Sequence, residues 1–408
     1  MRQAFASRSW RRLFSGRRGV EWIRQASTAK PIDAVAPQLL GQSRSPLGLG
    51  IATYFASPPA LRSIRNLPEV ELALESNDID SIRRAVDVFS GIQPGGLEHL
   101  ACLALKAEME PLQATLDEIH DLCKGKVDPQ RKVQLSKAKL GWMEGDFELA
   151  RSVTSNLVED LENSRKPGIA LHAARTGLGI SRISGMENID DAFSVRDPFR
   201  QVVAHVKRCG TPEQAAMAYL NLGTAEAMYA AAVSRFNDVE VPLNSAMVAW
   251  KNGLTQLKGT RKHVFVQAQL HSNMAWGMLM MTKERDYLDR AKNYANDALK
   301  CMNQAETKYG LDRTLCLVGT CSHKLGDPVT AEGLFASALD TAKSTPTVLG
   351  RMTEIEVLRR YADLCRDWDK RDKDALAMEQ QIETVEQQLP TAWRGKKFID
   401  GSLWFWLP

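Results

Sequence analysis

The sequence predicts an all-α protein, an α-solenoid of stacked antiparallel helix hairpins, on three observations. No stretch beyond residue 66 alternates apolar and polar residues as a half-buried strand does. Chain breakers arrive roughly every 15 to 25 residues, a spacing that suits helices and the turns between them. The third is a packing code in Leu315 to Ala342: Gly319 stands where two helices must approach closely, and Gly326-Asp327 makes the turn. Ala331, Phe335 and Ala338 then recur at helical spacing on the returning helix.

Taken in order, Leu67 to Phe89 reads as a short helix pair broken near Asn77-Asp78. Leu97 to Glu110 and Leu112 to Cys123 form another, turned at Pro111, which is well placed at a helix start. Gln130 to Met143 runs through Gly145-Asp146 into Leu149 to Leu161, and Ala138, the Gly-Asp turn and Ala150 repeat the spacing of Gly319, Gly326 and Ala331. Pro167 to Ile183 follows, then a segment from Asp190 to Lys207 disturbed by Asp197-Pro198. Pro212 to Arg235 carries Leu222-Gly223 as a close-packing pair, and Pro242 to Leu257 returns with Ala246, Trp250 and Gly253. Val264 to Thr282, with Met274-Ala275, returns through Ala291, Ala295, Ala298 and Leu299. Leu349 to Trp368 and Asp374 to Leu389 close the series as a more charged pair, as the end of a stack requires.

The unit at Leu315 to Ala342 resembles a tetratricopeptide repeat, the 34-residue helix–turn–helix module. About seven hairpins are expected in all, four of them with recognisable repeat chemistry, and the spacing between them is uneven. The resemblance implies that the first helix of each hairpin lines a concave groove that holds another polypeptide. Carried over position by position, that groove presents Asn221, Thr224 and Met228 from one unit and Asn273, Trp276 and Met280 from the next. Arg313, Thr320, His323 and Lys324 follow from the third. Some family members clamp chaperone C-termini with paired Asn and basic residues. Asn273 and Arg313 match that pattern, but Leu317 stands where a second basic residue is expected, so the clamp is not implied.

The first thirty of the 408 residues hold Arg2, Arg8, Arg11, Arg12, Arg17, Arg18, Arg24 and Lys30 against Glu21 alone. Of 53 basic and 49 acidic residues this leaves 45 and 48, so the formal +4 hides a remainder of −3. Phe5, Trp10, Leu13 and Phe14 offer an apolar helix face among those arginines. Residues 1–25 are therefore expected to be a mitochondrial targeting presequence, addressing the matrix ahead of the intermembrane space. A basic tail for nucleic acid or an anionic surface is the alternative. Residues 26–66 form a linker rich in Pro and Gly, residues 67–389 the helical-repeat domain, and residues 390–408 a tail. The uncharged run Ser45 to Leu61 contains three prolines and two glycines and makes a poor spanning helix. Seven cysteines without a C-x-x-C read as reduced core residues.

No G-x-S-x-G, H-E-x-x-H, phosphate-cradling loop or kinase signature occurs, so the expectation is not an enzyme, with no cofactor and no metal. Gly177-Leu178-Gly179 lacks a third glycine and reads as a close helix contact instead. One constellation invites a metal reading: His99 with Cys102 on one helix and His120 with Cys123 on the next could converge as a zinc set. The competing reading keeps the cysteines in the core and the histidines at helix edges. The tail places Trp393, Phe398, Trp404, Phe405 and Trp406 within eighteen residues, a density that needs cover. Folding back as a cap on the last hairpin comes first, insertion into a partner subunit second. Membrane-surface contact through Trp404, Phe405 and Trp406 comes third.

Taken together, these features lead to the expectation of a mitochondrial protein-interaction scaffold, an assembly or stability factor or accessory subunit of a larger complex, with protein partners and no DNA. An organellar RNA-binding helical-repeat protein is the alternative. It ranks lower because such a groove needs regular periods and positive charge, whereas here the periods are uneven and the net is −3.

Overall fold

The computed structural model describes residues 127–164, 168–185, 195–233, 240–259, 264–281, 284–304, 310–344, 348–368 and 371–396. Among these residues it contains twelve α-helices, one short 3-10 turn and no strand. The helices are α1 (Val127–Glu144), α2 (Phe147–Glu162), α3 (Gly168–Ser184), α4 (Asp197–Cys209), α5 (Pro212–Val233) and α6 (Glu240–Gln256). Then come α7 (Val264–Met281), α8 (Arg285–Gln304), α9 (Leu311–Lys324), α10 (Pro328–Lys343), α11 (Val348–Asp367) and α12 (Asp372–Gln387). The chain is thus all-α over its described part.

Local chemistry sets the boundaries. Gly145 and Gly326 both adopt positive φ, +86° and +83°, where a Cβ would be strained, so each Gly-Asp pair turns the chain sharply. The aspartate that follows then caps the returning helix: Asp146 accepts from the Leu149 N–H at 2.9 Å, and Asp327 from Thr330 at 3.2 Å. At the start of α5, Thr211 and Gln214 form a reciprocal capping box, with Pro212 in the first turn. Asp197-Pro198, which the sequence suggests as a mid-helix disturbance, in fact begins α4, where the missing proline N–H costs nothing.

Consecutive helices pack in pairs, most extensively α5 with α6, α7 with α8 and α9 with α10, then equally α2 with α3 and α11 with α12. First helices also touch the first helix of the next pair: α5 meets α7, α7 meets α9, and α9 meets α11. Small residues make these approaches close. Trp250 of α6 is fully buried between two glycines, Gly223 of α5 and Gly277 of α7. A Cβ on Gly223 would fall 2.4 Å from the indole nitrogen, which donates to the Leu220 carbonyl at 3.2 Å. Gly319 serves Phe335 of α10 in the same way, and Gly179 serves Phe199 of α4, at 2.9 and 2.7 Å. Ala331, Phe335, Ala338 and Ala342 are all fully buried on α10.

The described part of the tail touches the first described hairpin as well as the end of α12. Trp393 is 1% exposed and stacks edge-to-face on Trp142 of α1 and Phe147 of α2, with centroids 5.2 and 5.1 Å away. Residues that follow α12 therefore meet the first described hairpin. Phe398, Trp404, Phe405 and Trp406 lie outside the described residues, as do the presequence, the linker and the hairpins expected between residues 67 and 123.

Candidate functional site

Helix α7 lies between its neighbours and is buried nearly all round, so its polar residues must find partners inside the protein. Asn273 does so with both ends of its amide. Its Nδ2 donates to Thr224 Oγ1 of α5 at 3.0 Å, and its Oδ1 accepts from Arg313 Nη2 of α9 at 2.8 Å. Thr224 in turn donates to the Leu220 carbonyl. At the adjacent positions, the Ser272 and Thr314 hydroxyls lie 3.2 Å apart, again joining α7 to α9. A buried polar ladder thus runs across three successive first helices.

Five of the residues expected to line the groove lie inside the packing of the helices. Asn221, Thr224, Met228, Asn273 and Arg313 are each 5% exposed or less, so they hold helices together instead of facing an open wall. Burial also tunes two charges here. It pushes the Asp312 carboxyl up to about 6, against the pull of the Arg313 N–H and guanidinium, and draws Arg313 down to about 10 despite Asp312. His323 is spent as well, its Nε2 lying 3.1 Å from Asp367 of α11.

The remaining four expected residues do come together. Trp276 and Met280 of α7 with Thr320 and Lys324 of α9 line a small cleft, joined by Leu279, Cys316 and Leu317 and by Glu356 and Arg360 of α11. Its enclosed volume is about 70 Å³. The floor is apolar, Met280 is 47% exposed at its edge, and the rim is charged. Glu356 and Arg360 pair with each other at 2.8 Å, and Lys324 adds a second cationic side chain to the lining. Burial pushes the Cys316 thiol far above its ordinary range, so it contributes bulk and no nucleophile. Glu356 and Arg360 escaped the sequence reading, because α11 showed no repeat chemistry to set its register.

A second cleft, more open and about 250 Å³, lies between α2, α3 and α4. Val158, Leu178 and Pro198 form its apolar part, and Arg175, Arg182, Gln201, Glu162 and Asp197 its polar part. Arg175 is held by Glu162 at 2.7 Å. Nearby, His172 of α3 stacks on His205 of α4 with centroids 3.7 Å apart, and burial with the neighbouring His205 and Arg175 charges lowers His172 to about 4.

Among the described residues no three His, Cys, Asp or Glu side chains gather to hold a metal ion, and no helix is long and apolar enough to cross a membrane. The candidate set His99, Cys102, His120 and Cys123 lies outside them. No family model matches the chain, and no curated protein aligns with it.

Proposed function

We propose that the chain is a mitochondrial protein-interaction scaffold, a tetratricopeptide-like solenoid that assembles or stabilises a larger complex. Its partner polypeptide engages the wall of first helices at the cleft across α7, α9 and α11. The observation that supports this reading is the convergence of Trp276, Met280, Thr320 and Lys324 from two successive first helices on one cleft. An apolar floor with a half-exposed methionine suits an apolar side chain of a partner segment. The mitochondrial address rests on the arginine-rich composition of residues 1–25 alone.

The test is affinity capture from gently solubilised mitochondria, comparing the wild type with Met280→Glu and Lys324→Glu. Loss of one common set of co-purifying subunits, with an unchanged melting temperature, is the expected result. Identical capture by all three proteins overturns the assignment of the cleft. Retention on immobilised RNA at moderate salt, with no captured protein set, selects the RNA-binding alternative.

A further inference from the structure

The segment after α12 is fastened at both of its ends. On its own side, Arg394 donates from Nε to the Leu389 carbonyl at 3.1 Å and from Nη2 to that of Gln387 at 3.0 Å, stitching it to the end of α12. On the other, the Trp393 indole N–H is shared between the carbonyls of Trp142 and Met143, both at 3.2 Å. Lys396 Nζ donates to the Ser184 carbonyl at 2.7 Å and lies 5.5 Å from the centre of the Phe147 ring. Gly395, at φ +71°, makes the left-handed turn between these anchors.

The surface that receives the segment is built for it. Trp142 and Met143 sit in the last turn of α1, and Ser184 ends α3. Carbonyls there carry the negative end of the helix dipole, and that of Trp142, which accepts from the Gly145 N–H at 3.1 Å, keeps a second lone pair. An indole N–H and an ammonium group are suitable donors for such acceptors. Trp142 Nε1 donates to Ser184 Oγ at 2.7 Å, tying the two halves of the socket together. Gly145 leaves room underneath: a Cβ there would meet Ala392 at 3.0 Å and Trp393 at 3.3 Å.

We propose that residues 391–396 are a latch, and that the socket formed by the ends of α1 and α3 and the start of α2 recognises them as a ligand. Docked, the latch joins the last described helix to the first described hairpin. Released, it leaves a site that accepts any peptide carrying a tryptophan followed, three residues on, by a lysine.

The experiment uses the full-length chain with Trp393→Ala, read by hydrogen exchange and small-angle scattering. Exchange at the amides of residues 142–147 and 184–185 is expected to rise at least tenfold, with α7 to α10 unchanged and the radius of gyration larger. Adding a synthetic peptide of residues 390–396 restores the local protection, and the same peptide with alanine for tryptophan does not. A uniform rise along the chain, no rise, or protection that the peptide fails to restore overturns the proposal. Lys396→Met, which keeps the tryptophan, gives a second reading: faster exchange confined to residues 184–185 supports the latch, and no change there overturns it.

Discussion

Arg313 reaches from α9 to the amide oxygen of Asn273 on α7 at 2.8 Å, in a site where neither residue is more than 4% exposed. A charge so deeply placed depends on the acceptors around it, so replacing Asn273 by leucine removes one of them with no water to take over. The cost is expected at about 2–3 kcal/mol, the range for a buried hydrogen bond to a charged group. Thr224→Val removes only the neutral end of the same ladder and should cost about 1 kcal/mol. Urea unfolding of the two variants tests the order, and equal losses would refute the ladder as the seam between first helices.

Glycines at the helix contacts should rank by what a methyl group meets. Gly223→Ala drives a Cβ to within 2.4 Å of the Trp250 indole, which Gly277 pins from the other side, so the ring has nowhere to move. Gly319→Ala meets Phe335 at 2.9 Å, a smaller overlap. Gly326→Ala meets nothing within 4 Å and pays only for its φ of +83°. Overpacking typically costs about 1–3 kcal/mol and a residue forced into the left-handed region about 1–2 kcal/mol. Melting temperatures should therefore fall furthest for Gly223→Ala and least for Gly326→Ala.

Gly223, Gly319 and Gly326 were legible from the sequence, and Gly277 and the ladder were not, for one physical reason. A small residue, a Gly-Asp turn and a small–aromatic–small row mark a helix contact wherever they occur, so Gly145-Asp146 and Gly326-Asp327 and the faces beside them could be placed in advance. Periodicity says which residues share a face, but not which neighbour that face meets. On α7, buried nearly all round, the face with Asn273 turns inward while Met280, two turns further on, reaches the surface. Trp393 was harder still, since its partners Trp142 and Phe147 lie some 250 residues away in the chain and no local pattern links them.

Two buried groups should pull the stability in opposite directions as the solution is acidified. Asp312 titrates at about 6 in the folded chain against an ordinary 3.8, so the folded state binds its proton first and gains stability as pH falls from 6 to 4. His172 titrates at about 4 against 6.5, so the unfolded state binds its proton first and stability is lost between pH 6.5 and 4. Each effect is on the order of 3 kcal/mol at most, and together they should nearly cancel. Single variants separate them. His172→Gln should gain on the wild type as pH falls from 7 to 4, whereas any advantage of Asp312→Asn at pH 7 should shrink over that range. Parallel curves for all three proteins would mean that neither group is held as the packing implies.

Glu226 offers a last test, of how α4 is joined to the helices after it. The residue, on α5, is 5% exposed, and its carboxylate receives two guanidinium groups, from Arg196 just before α4 at 2.8 Å and from Arg200 within it at 2.9 Å. The two partners differ in kind. Arg196 is mostly covered and lies flat over the Tyr229 ring at 3.9 Å, while the Arg200 side chain is half exposed. Removing the shared acid by Glu226→Ala leaves the covered cation without its counter-charge, at an expected cost of about 3–5 kcal/mol. Arg200→Ala should cost about 0–1 kcal/mol, since solvent already screens that pair. Because α4 packs on both α3 and α5, the Glu226→Ala loss should also appear as a shallower, less cooperative unfolding transition. A steep transition displaced only slightly would show that apolar contacts of Phe199, Val202 and Val206 hold α4 in place without the ion pair.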